Sequence, residues 1–224
     1  MSKILVIGAA GLIGKDVVKE LGEGNCIRAS RSSDERVDIS DPKSLAALFG
    51  RVGELDGIIC TGGAARFKPW DQLTDEDWTF SLANKLLGQI NVVRYGLKSV
   101  QPGGAITLTT GLASQYPAPG SSIITTVNSA IDAFVCAVAA DPSISIRVNT
   151  VSPGWVSETL QAMGRNPSPR SLFGNFARAQ RGRWRRPQRS KTPAGARLSP
   201  LWRLSRPRSA MRQGGARRSA RLRR

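Results

Sequence analysis

The sequence predicts a doubly wound α/β fold, a parallel sheet with helices on both faces, and three observations carry this. Short apolar runs alternate with stretches of helical spacing as far as about residue 153. The runs show no polar alternation, as expected of strands covered on both faces. The first run breaks into a glycine-rich loop and then an amphipathic helix, which is how a phosphate-binding α/β unit begins.

The elements follow in order. KILVIG (3–8) is a β-branched strand. GLIGKDVVKELG (11–22) sets Leu12, Ile13, Val17, Val18 and Leu21 on one helical face and stops at Gly22. CIRAS (26–30) is the second strand. The helix DPKSLAALFGRV (41–52) opens on Asp41 as N-cap with Pro42 in its first turn. DGIICTG (56–62) is a strand, Asp75 to about Val100 one long helix, and GGAITLTT (103–110) a strand. Residues 122–140 form a helix with Val127, Ala130, Ile131, Phe134, Val135 and Val138 along one stripe, and ISIRVNTVSP (144–153) is the last strand.

Composition divides the chain at Asn166. The formal charge of +17 describes the C-terminal part: residues 1–166 hold 15 basic and 16 acidic residues, whereas 167–224 hold 18 basic residues and no acid. Seventeen of those 18 are arginine, and the segment has no Val, Ile, Tyr or Cys. Such a composition buries too little apolar surface to offset chain entropy. Three readings stay open for 167–224: a disordered cationic tail that binds nucleic acid or anionic lipid, a solvated extension without function, or out-of-frame translation in place of the proper C-terminus. The expected domains are 1–166, with its C-terminal strand missing, and the irregular tail.

There is no histidine, which excludes Ser-His-Asp and Cys-His schemes and His-ligated zinc. Cys26, Cys60 and Cys136 are far apart in apolar runs and read as buried, reduced thiols. The N-terminal apolar stretch runs into charged residues without a cleavage pattern, so it reads as a strand rather than a leader. No run approaches the ~18 uninterrupted apolar residues of a membrane span. A soluble, cytoplasmic core without a membrane partner is expected.

GAAGLIG (8–14) carries the first candidate chemistry. Gly8 allows the tight turn, Gly11 lets a diphosphate approach the backbone, and Gly14 permits close helix–strand packing, with Leu12 and Ile13 in the same loop-to-helix junction. The second strand ends in Ser30, Arg31 and Ser32 rather than an acid. That suits a 2′-phosphate and predicts NADP(H) over NAD(H).

GAAGLIG, VDISD (37–41), CTGG (60–63), W…KLLGQINVVR (78–94), GGAITLTTG (103–111) and RVNTVSPGW (147–155) occur in this order. Together they resemble the short-chain dehydrogenase/reductase family over roughly residues 3–160, with a Rossmann-type fold. The resemblance implies that Asp38, with Ile39 beside it, meets the adenine. It implies that Thr61, Gly62 and Gly63 lie along the ribose, and that Pro153, Gly154 and Val156 lie against the nicotinamide. Two departures are mild: the glycines are spaced GxxGxxG rather than GxxxGxG, and CTGG replaces NNAG.

The severe departures concern the chemistry. The family moves a hydride, with a tyrosine exchanging the proton and a lysine four residues later lowering the tyrosine pKa. Here those two positions are Ile124 and Asn128. The family serine falls at Thr110, or at Thr109 if the register slips, and the family asparagine at Lys85, with Asn84 one residue off on another helical face. Lysine and asparagine look exchanged between two helices, and Lys85, Thr110 and Asn128 are the candidate catalytic set. Tyr116, in the loop after Thr110, reads as a surface residue.

The expected function is an NADP(H)-dependent oxidoreductase acting on a small carbonyl or alcohol. The alternatives are a non-catalytic NADP(H) sensor and a nucleic-acid binder working through the tail. A homodimer through helices 75–100 and 122–140 is the expected assembly.

Overall fold

The computed structural model describes residues 3–154. Six parallel strands lie in the order β3-β2-β1-β4-β5-β6. They are β1 (Ile4–Ile7), β2 (Cys26–Ser30), the two-residue β3 (Glu35–Arg36), β4 (Leu55–Cys60), β5 (Val100–Thr109) and β6 (Arg147–Val151). The chain winds outward from β1 to β3, then returns to the other side of β1 with β4. The direction of winding therefore reverses between β1 and β4, where an open α/β sheet leaves a crevice at its carboxyl edge. β3 is too short to leave a sequence signal, and among the described residues β6 pairs only with β5.

Each right-handed crossover puts its helix on the face set by its direction of travel. Helix α1 (Leu12–Leu21) packs Val17 and Val18 on Ile4 and Val6 of β1 and Ile59 of β4. On the other face, α2 (Pro42–Val52), α4 (Gly88–Gly96) and α5 (Ser122–Ala140) cover Leu5, Ile7, Ile58, Ile106 and Leu108. Both faces of β1 are sealed, and each such aliphatic side chain contributes ~1.5–3 kcal/mol of burial free energy. The Asp41 carboxylate caps α2 by accepting from the Lys43 N–H, as the sequence predicts.

The helix expected over 75–100 is three pieces. Helix α3 (Asp75–Ser81) opens on a reciprocal capping box between Thr74 and Asp77. A π-helical turn, Leu82–Leu87, then leads into α4, and Val100 already belongs to β5. Helical spacing cannot distinguish one wide turn from regular helix, so the sequence showed a single segment.

One further expectation is corrected. Cys60 is buried, but Cys26 is only partly covered and Cys136 is exposed, because α5 turns Cys136 away from its Ile131–Val135 stripe. By length and composition alone, helix α5 could also cross a membrane. Its polar members interrupt the apolar run, and it seats Ile123, Val127, Ile131 and Val135 in the interior. Val156 and all of 167–224 lie outside the described residues.

Candidate functional site

A cleft of about 380 Å³ opens at the switch between β1 and β4. It is lined by Gly8, Ala10 and Gly11 after β1, by Ser30, Arg31 and Ser32 after β2, by Asp38 and Ile39 before α2, and by Thr61, Gly62 and Gly63 after β4. Ten of the residues expected to hold a dinucleotide thus surround one space. Leu12, Ile13 and Gly14 do not line it: they sit in the start of α1, where Leu12 is exposed and Gly14 is buried. Pro153 and Gly154 also lie off this cleft, beyond β6, where the Leu112 N–H donates to the Pro153 carbonyl.

The glycine loop is shaped by contact rather than flexibility alone. Gly8 has φ +86°, and a Cβ there would come within 2.6 Å of the Gly62 amide nitrogen. A Cβ at Gly14 would run into the Gly8 carbonyl oxygen, which explains the third glycine as a packing residue. The Gly8 and Ala9 N–H groups both donate to the Ala29 carbonyl, tying the loop to β2.

Charge is distributed along the cleft. Asp38 accepts from the Ser40 hydroxyl and N–H at 2.6 and 2.9 Å, and the hydroxyl bond, more than Arg31, holds its carboxyl below the usual range. Arg31 is exposed, lines the cleft and makes no ion pair among the described residues. A second hollow of about 340 Å³ shares Ala10 and Ser32 with it and is lined by Lys15 and Lys19, and by Arg28 paired with Glu23 and Asp34.

The candidate catalytic set gathers at the carboxyl end of β5. Lys85 comes from the π turn, is 7% exposed, and donates to the Thr109 carbonyl at 3.1 Å. Burial pulls its pKa down to about 8, with Cys60 and Asp132 opposing. Cys60 itself is pushed up to about 11 by burial, so it is a thiol at neutral pH. Asn128 is 1% exposed on α5, with its Nδ2 3.2 Å from where a Cβ on Gly111 would stand and its Oδ1 without a partner. Thr110 sits between them on the chain, and Ile124 is half-buried one turn earlier on α5. Tyr116 is 72% exposed, consistent with a surface residue.

Several residues here were not singled out from the sequence. Gln89, fully buried, donates to both the Gly62 and Thr109 carbonyls and so ties the ends of β4 and β5 together. Asp132 accepts from Thr110 and Ser114, and Ser152 contacts Thr110. Gln89 follows Lys85 by four residues and Asp132 follows Asn128 by four, so helical spacing would have placed each on its partner's face. Asn84 also lines the cleft, although the alignment assigns it another face than Lys85. The π turn changes the angular step at that point, and both side chains reach the site end of the sheet.

The profile of the family described as enoyl-(acyl carrier protein) reductase matches residues 14–192. The chain belongs to the short-chain dehydrogenase/reductase family. The profile continues past Asn166, where the composition changes. Hydroxynaphthalene reductase arp2 of Aspergillus fumigatus is 29% identical over 130 residues, which are 56% of this chain and 48% of that protein. Oxidoreductase UcpA of Escherichia coli K12 is 25% identical over 185 residues, 76% of this chain and 70% of that protein. The chain therefore spans about half the length of the Aspergillus relative.

Among solved structures, the protein lin1944 from Listeria innocua superposes with a TM-score of 0.74 at 34% identity, covering 81% of this chain and 92% of that one. A small-chain dehydrogenase in complex with NADPH superposes at 0.65 with 26% identity, covering 80% of this chain and 78% of that one. The described residues thus share the fold of these short-chain dehydrogenase/reductase structures.

Proposed function

We propose that this short-chain dehydrogenase/reductase member is an oxidoreductase that binds NADP(H) and acts on a small carbonyl or alcohol through Lys85, Thr110 and Asn128. One observation carries the reading: the cleft between β1 and β4 brings the glycine loop, Arg31, Asp38 and Thr61–Gly63 around one space. The residues present fit a dinucleotide, since Gly8 and Gly11 put backbone without side chains on the cleft and the loop closes so tightly on Gly62 that no side chain is admitted at Gly8. The similarity to a dehydrogenase in complex with NADPH is in line with it.

In this reading the bound cofactor supplies hydride transfer. Gly8 and Gly11 admit its diphosphate, Asp38 accepts from the adenine amino group, and Arg31 meets the 2′-phosphate in a charge-assisted pair. Isoleucine at 124 exchanges no proton. Lys85, with a pKa of about 8, can give or take one near neutral pH, the range in which a general acid–base group is useful.

The test is a fluorescence titration of the full chain with NADPH and with NADH. NADPH is expected to bind about tenfold tighter or better, and Arg31→Asp to erase that preference, since bonds to charged groups contribute ~1.5–3 kcal/mol. Equal affinity for both cofactors in the native chain would refute the 2′-phosphate role, and no binding by the folded chain would refute the cofactor reading.

A second reading is favoured by the missing tyrosine and the sealed position of Asn128: a protein that binds NADP(H) without turning it over. It predicts a rise in melting temperature with NADPH and no NADPH oxidation across a panel of carbonyls. Turnover that Lys85→Met abolishes would reject it.

A further inference from the structure

Asp132 lies one turn beyond Asn128 on α5, and both of its carboxylate oxygens are engaged. Oδ1 accepts from the Thr110 hydroxyl at 3.1 Å and Oδ2 from the Ser114 hydroxyl at 3.0 Å. The Ser114 proton has a second acceptor, the Gly111 carbonyl at 3.1 Å, but the Thr110 proton has no other acceptor except Ser152.

A hydroxyl has one proton and two lone pairs. With the Thr110 proton held by a carboxylate, the 2.6 Å contact between Thr110 Oγ1 and Ser152 Oγ is ordered the other way, Ser152 donating and Thr110 accepting. The chain of bonds therefore runs Ser152 to Thr110 to Asp132. Every proton in it points inward, and what the two oxygens offer a further partner is lone pairs. A hydroxyl that polarises a carbonyl must do the reverse and point its proton at the bound oxygen.

The array sits where a substrate would meet the family's serine. The Thr110 N–H is held by the Val151 carbonyl, Ser152 follows directly, and Lys85 lies within electrostatic reach of Asp132. Thr110 is itself buried, 5% exposed, whereas Ser114, Asp132 and Ser152 are each only half-buried, so Ser152 carries the open side of the array.

We propose that Asp132 is a positioning residue that turns Thr110 and Ser152 into an acceptor surface, so that this site selects a ligand carrying a hydrogen-bond donor, an alcohol or amine, over a carbonyl. The proposal rests on the reading that the end of β5 is the substrate side of the cofactor cleft. It narrows the substrate class to the reduced partner, an alcohol or amine.

Cyclohexanol and cyclohexanone are a matched pair of probes, titrated into the full chain by ligand-observed NMR with and without NADPH. Cyclohexanol is expected to bind about tenfold tighter, the cost of leaving one site acceptor unpaired. Asp132→Asn replaces one of the two acceptor oxygens with an NH2 donor; with that NH2 on Thr110 the hydroxyl proton is freed to turn outward, so the ratio should collapse or invert. Thr110→Ser should keep the preference and Thr110→Val should lose it, which covers the case in which Asp132→Asn fails to fold.

A ketone preference in the native chain, no binding of either probe, or a ratio indifferent to both Asp132→Asn and Thr110→Val would each overturn the proposal. A preserved cyclohexanol preference with no NADPH binding would sustain the acceptor surface and reject the cofactor reading alone.

Discussion

Lys85 concentrates the residue-scale argument. It is a lysine at 7% exposure whose ammonium has the Thr109 carbonyl as acceptor, and burial lowers its pKa to about 8. The sign of the pH effect follows. The unfolded chain keeps this proton up to the ordinary lysine pKa and the folded chain releases it near 8, so the unfolded state binds more protons between those values. Stability should therefore rise with pH from about 8 to about 10.4, by ~3 kcal/mol for this group.

Urea unfolding at pH 7.5 and pH 10 should show that increment in the native chain and not in Lys85→Met. The variant should be the more stable of the two at pH 7.5, since it no longer buries a charge, while turnover with NADPH falls to background. Equal pH slopes in the two proteins would place Lys85 in solvent and remove it from the site.

At the scale of elements, the glycine loop and the π turn build the site. The loop works because α1 approaches β1 closely enough that only hydrogen fits at position 14. Gly14→Ala would push its methyl into the Gly8 carbonyl, so the loop must shift away from Gly62. Overpacking of this kind costs ~1–3 kcal/mol. The expected result is a melting temperature lower by ~2–4 °C per kcal/mol, together with weakened NADPH binding. A variant with native stability and native affinity would show that the helix backs away freely and that the third glycine is incidental.

Helix α4 packs as tightly. A Cβ on Gly96 would stand 2.6 Å from Ile58 Cδ1 and 2.7 Å from the Phe49 ring. That contact holds α4 down on β4, and the α4 end of the π turn fixes where Lys85 and Gln89 meet β5.

For the whole molecule, the outward face of α5 matters most. Ala133, Cys136 and Ala137 are exposed on a helix whose other side is core, and Leu87 of the π turn is 51% exposed. Small residues along an apolar helix face allow a second helix to approach closely, and the proposed homodimer would cover this face with its copy in a second chain. Sedimentation velocity of the full chain should give a dimer, and Ala137→Glu should yield monomer by burying an unpaired charge. A native chain that sediments as monomer would remove this assembly. The 18 basic residues of 167–224 belong to a segment outside the described residues.

The sequence by itself determined the order of the strands and helices apart from β3 and the π turn, the turn at Gly8–Gly14 and the residue types that stand at positions 85, 110, 124 and 128. Each of these is a local matter of periodicity, backbone freedom or residue identity. The parallel sheet followed from continuous apolar runs, and the switch-point cleft followed from the sheet. Only the tertiary structure decided which side chains meet: that Lys85 and Gln89 converge on one β5 carbonyl, and that Asp132 accepts a hydrogen bond from the Thr110 hydroxyl. It also decided that Asn84 reaches the cleft from a turn that is not α-helical. These depend on how α4, α5 and the ends of β5 and β6 pack in three dimensions. Residues 85, 110, 132 and 152 are too far apart in sequence for local spacing to relate them, and one additional residue in a helical turn changes which side chains face the site.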